Sequence, residues 1–67
     1  MDKIRYQYAS DVNSGRDGLG LEVWQGTQML LEIFQDDAKG TVTLNTFGQD
    51  IALETVCAAI AEFKNQR

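Results

Sequence analysis

Residues 28–47, QMLLEIFQDDAKGTVTLNTF, decide the fold, because they read as two strands folded back on each other around a single turn. Met29, Leu31 and Ile33 fall on one side of an extended chain, and Leu30, Glu32 and Phe34 fall on the other. That period of two is the one a strand imposes. Asp37-Ala38-Lys39-Gly40 suits a four-residue hairpin loop, with Gly40 in the left-handed conformation that closes it. Pairing Asp36 with Thr41 sets Ile33 against Leu44 and Leu31 against Thr46. The opposite face then brings Phe34 beside Thr43 and Leu30 beside Phe47. Apolar phases agree in this register, whereas a slip of one residue would turn every side chain to the wrong side.

Working back from the hairpin, Lys3–Ser10 and Leu19–Gln25 alternate in the same way. Ile4, Tyr6 and Tyr8 share one face of the first segment, and Leu19, Leu21 and Val23 share one face of the second. Between them lies Asp11-Val12-Asn13-Ser14-Gly15-Arg16-Asp17-Gly18, rich in residues that tolerate turns. Gly26-Thr27 separates the second strand from the third. Forward of the hairpin the period changes. Asp50 can cap a helix whose first turn carries Glu54 and whose end carries Lys64 and Arg67, as the helix dipole favours. Leu53, Val56, Cys57, Ile60, Phe63 and Lys64 follow at spacings of three and four, one apolar stripe of a helix. The chain is therefore predicted to be a single α+β domain over residues 1–67. Its order is ββββα, a four-stranded antiparallel meander with one C-terminal helix packed on one face. Strands are expected at about 3–10, 19–25, 28–35 and 41–47, and the helix at about 51–65.

One helix can cover only one face of a sheet. The inner face should hold Ile4, Tyr6, Tyr8, Leu19, Leu21, Val23, Met29, Leu31, Ile33, Val42 and Leu44. The outer face is polar in the first strand, with Lys3, Arg5 and Gln7. Later strands break that rule by presenting Trp24, Leu30, Phe34 and Phe47 among Glu22, Glu32 and threonines. Such a patch, rimmed by carboxylates, is the expected interaction surface, with Trp24 as its anchor.

Composition narrows the chemistry. The chain has 67 residues, six Lys and Arg against ten Asp and Glu, and a net charge of −4. Its basic residues are scattered, so no stripe suited to nucleic acid exists. There is no histidine and only one cysteine, which excludes a disulfide within one chain and leaves no zinc set. Cys57 reads as a small core residue on the helix stripe rather than an activated nucleophile. Asp11, Asn13, Gly15, Asp17 and Glu22 follow the spacing of a calcium loop, but Arg16 stands where that loop needs glycine, and no helix flanks it. Neither an apolar leader nor a membrane span is seen, and the lone thiol fits a reduced cytoplasmic compartment.

These features point to a non-enzymatic, acidic protein-interaction domain without cofactor or metal, expected to form a homodimer through Trp24, Leu30, Phe34 and Phe47. Two other readings stand beside it. One is an immunity-type or nucleic-acid-mimic inhibitor, offering Asp36, Asp37, Asp50 and Glu54 to a basic partner protein. The other is a small-molecule site between subunits. Neither nucleic acid nor membrane is an expected partner.

Overall fold

The computed structural model describes residues 3–10 and 18–65, and within them the hairpin has the register expected from the sequence. Strands β1 (Ile4–Ser10), β2 (Gly18–Gln25), β3 (Gln28–Asp36) and β4 (Thr41–Asn45) form one antiparallel sheet in the order β1-β2-β3-β4, and helix α1 (Leu53–Asn65) follows. Asp36 pairs with Thr41, Phe34 with Thr43 and Ile33 with Leu44. Gly40 closes the loop at φ 68°, its N–H donating to the Asp36 carbonyl at 2.8 Å. The Asp36 carboxylate accepts from the Ala38 and Lys39 amides at 3.1 and 3.2 Å, so this side chain builds the turn.

Two departures from strict alternation shape the rest. Val23 stands opposite Leu31 but Trp24 stands opposite Met29, which makes Leu30 an extra residue in β3. The bulge carries Leu30 into the core, where it is 8% exposed. It also places Met29 beside Trp24 instead of on the inner face. Beyond Asn45 the chain turns away, so the pairings of Leu31 with Thr46 and of Leu30 with Phe47 do not form. Gln49 takes over where β4 stops. Its side-chain amide donates to the carbonyls of Met29 and Thr46 at 3.1 and 3.3 Å, and its carbonyl accepts from the Gln28 side chain. The turn is tight: Phe47 sits at φ 57° and Gly48 at φ 77°. The Gln49 N–H donates to the Thr46 carbonyl at 3.0 Å.

The core is Leu21, Val23, Leu30, Leu31, Ile33, Ala59 and Phe63, with Tyr8, Leu19, Ile51 and Val56 packed against it. Helix α1 begins two residues later than expected. The Ala52 carbonyl accepts the first helical bonds, from Thr55 and Val56, while Ile51 reaches the core and Asp50 lies exposed upstream. The helix seam is also turned from the expected stripe. Val56, Ala59 and Phe63 face the sheet, whereas Leu53 is 76% exposed and Cys57 is exposed. Ala59 lets the helix approach closely. The Tyr8 hydroxyl donates to the Glu62 carboxylate at 2.8 Å and ties the helix toward β1. Loss of hydration, then the hydrogen bond to Glu62, pushes the Tyr8 phenol up to about 12.

Candidate functional site

The outer face does not assemble the apolar patch. Strand pairing arranges it in rows: Arg5, Trp24 and Met29; then Gln7, Glu22, Glu32 and Asn45; then Ala9, Gly20, Phe34 and Thr43. The carboxylate row lies between Trp24 and Phe34. Trp24 is half-buried, with Arg5 over its ring at 5.4 Å and its indole N–H donating to Glu22 at 3.0 Å. Phe34 is only 5% exposed although it points outward. Its ring lies against Gly18 and Gly20, where an added Cβ would stand 3.2 and 3.5 Å from ring carbons. Leu30 belongs to the core, and Phe47, 46% exposed, projects from the turn after β4. The four residues thus occupy four separate settings.

The acidic candidates are divided as well. Asp36 and Asp37 lie in the hairpin before β4, with Asp37 accepting from the Gln35 side chain at 3.0 Å. Asp50 and Glu54 lie beyond the other end of that strand. The five residues of β4 span about 17 Å, so these carboxylates form no single surface. The segment whose spacing resembles a calcium loop, set aside on sequence grounds, lies outside the described residues except for Glu22. Among the described residues no three cysteine or carboxylate groups gather as a metal site requires.

Exposed apolar surface appears instead on the face that the helix covers, beside β4. Val42, Leu44 and Ile60 are 47%, 40% and 38% exposed. They flank a groove of about 260 Å³ floored by Ile33 and Phe63, with Lys64 at its rim. Its origin is geometric. A helix is about 10 Å wide and strands lie about 4.8 Å apart, so one helix shields two or three strands of four. Tyr8 ties α1 toward one end of β1, yet the helix leaves the inner face of both edge strands in water: Ile4 and Tyr6 of β1, expected under the helix, are exposed, and Val42 and Leu44 of β4 are exposed further. All five residues of β4 are exposed, and among the described residues no strand pairs with its outer edge.

Sequence reasoning placed Val42, Leu44 and Ile60 in the core and so missed this groove. A usable signal was present in the widths of one helix and four strands, which require some inner-face residues to remain uncovered. Comparison with protein-family models finds none that matches, and neither curated proteins nor solved structures give a match. Among the described residues no helix is long and apolar enough to cross a membrane.

Proposed function

We propose that this chain is a non-catalytic protein-interaction domain that binds through the groove between β4 and α1. The observation that carries this reading is the cluster of Val42, Leu44 and Ile60, three aliphatic side chains left in water over a buried apolar floor. Covering each would contribute on the order of 1 kcal/mol, since part of its surface is already buried. Backbone groups along β4 add a second binding element, because an open strand edge accepts another strand. The outer face suits recognition less well: Phe34 is sequestered, and Trp24 already has Arg5 and Glu22 as neighbours. A reducing compartment such as the cytoplasm suits the exposed Cys57 thiol.

Titration with isopropanol below the unfolding threshold, followed through backbone amide shifts, tests the groove without a known partner. Perturbations gathered at Val42, Leu44, Ile60 and Lys64 would support it. A cluster around Trp24, Glu22 and Glu32 would return the site to the outer face.

A further inference from the structure

Resting on that reading of the β4 side of the molecule, we infer that a second copy of this chain pairs along the open edge beside the groove, with β4 antiparallel to β4 of the partner about a twofold axis at Thr43, so that the two apolar strips become one. The sequence of β4, Thr41-Val42-Thr43-Leu44-Asn45, is self-complementary in that arrangement. Val42 faces Leu44 of the other copy on the groove side, and Thr41 faces Asn45 on the outer side. Apolar meets apolar and polar meets polar at every position, in both directions.

Charge favours the same choice. None of the five β4 residues is charged, so two acidic chains meet along this edge with no like charges opposed. The β1 edge differs, because it carries Arg5 in the strand and Lys3 just before it, the kind of basic guard that discourages edge pairing. Pairing of β4 with β1 of another copy would also leave two further edges free and grow without closing, whereas β4 with β4 closes at two.

Area sets the strength. The β4 edge is about 17 Å long and, with no helix over it, about one sheet layer or 10 Å deep. The projected contact is therefore roughly 170 Å² per copy, well short of the about 800 Å² typical of a lasting dimer. The association should accordingly be reversible, dissolving on dilution, and insensitive to salt or slightly strengthened by it.

Cysteine trapping tests the register in full-length chains carrying Cys57→Ser. Directly opposed residues of antiparallel strands have Cα atoms about 4.5–5.5 Å apart, within disulfide reach, so Thr43→Cys should link to itself on mild oxidation. Thr41→Cys alone should not, because the two copies of residue 41 stand about 14 Å apart along the strands. The double variant Thr41→Cys/Asn45→Cys should link again. Equal linkage of the Thr43 and Thr41 variants would overturn the pairing, as would a mass of one chain by light scattering at millimolar concentration. If the mass stays that of one chain while isopropanol still perturbs Val42, Leu44 and Ile60, the groove reading survives and only the second copy falls.

Discussion

Phe34 and Leu44 exchange the roles that their faces assign them. Phe34 points away from the helix and is buried; Leu44 points toward the helix side and is 40% exposed. The difference lies in local width. Gly18 and Gly20 lack side chains, so they leave a trough in the outer face that a phenylalanine ring fills, the way an aromatic side chain can cover a strand glycine. Over β4 the inner face outruns the helix, and no other described element covers it. Facing decides which neighbours are available to a side chain, and the dimensions of those neighbours decide whether it is buried.

This contrast can be broken most forcefully by truncation. Phe34→Ala should cost about 3–5 kcal/mol, as for a core phenylalanine, whereas Leu44→Ala should cost about 1 kcal/mol. Urea unfolding of both variants measures the gap, and equal losses would erase the distinction. The glycine trough gives the next effect. A Cβ on Gly18 would lie 1.7 Å from the Gln35 carbonyl oxygen, so the backbone must move to admit it. Gly18→Ala should lower stability by about 1–3 kcal/mol, visible as a fall in Tm. An unchanged Tm would show that the two strands are not so close.

Smaller effects sharpen the picture of what ties the helix to the sheet. With the Tyr8 phenol at about 12 in the folded chain and about 10 in the unfolded one, its neutral form is the one that folding favours. Its contribution is fully present below about pH 10 and is lost as pH rises toward 12. Unfolding measured between pH 9 and 11.5 should therefore decline less steeply in Tyr8→Phe. Smallest is the turn after β4. Phe47→Asn should raise stability by about 1 kcal/mol by relieving the left-handed backbone, seen as a higher urea midpoint.

Much of this architecture was legible in residues 28–47 and in the switch of period after Phe47. The hairpin register follows from matching apolar phases, and the order of β2, β3 and β4 follows from short turns. The site was less legible, for three reasons that can each be located. The bulge at Leu30 breaks alternation without any glycine to mark it, so Leu30 and Met29 were assigned to the wrong faces. Gln49 ends β4 early through side-chain hydrogen bonds to β3 that strand periodicity does not encode. In the helix, Ala59 is too small to stand out as a core position beside Leu53, Cys57 and Ile60, yet its small size is what allows the close approach. The exposed setting of Cys57 follows from that rotation.

The central claim is that recognition takes place beside β4 and not across the outer face around Trp24. Sedimentation equilibrium of the wild-type chain, Leu44→Glu and Trp24→Lys over a hundredfold concentration range tests it most directly. Self-association weakened at least tenfold by Leu44→Glu and left intact by Trp24→Lys is the predicted result. Weakening by Trp24→Lys alone would contradict the account and restore the outer face as the binding surface.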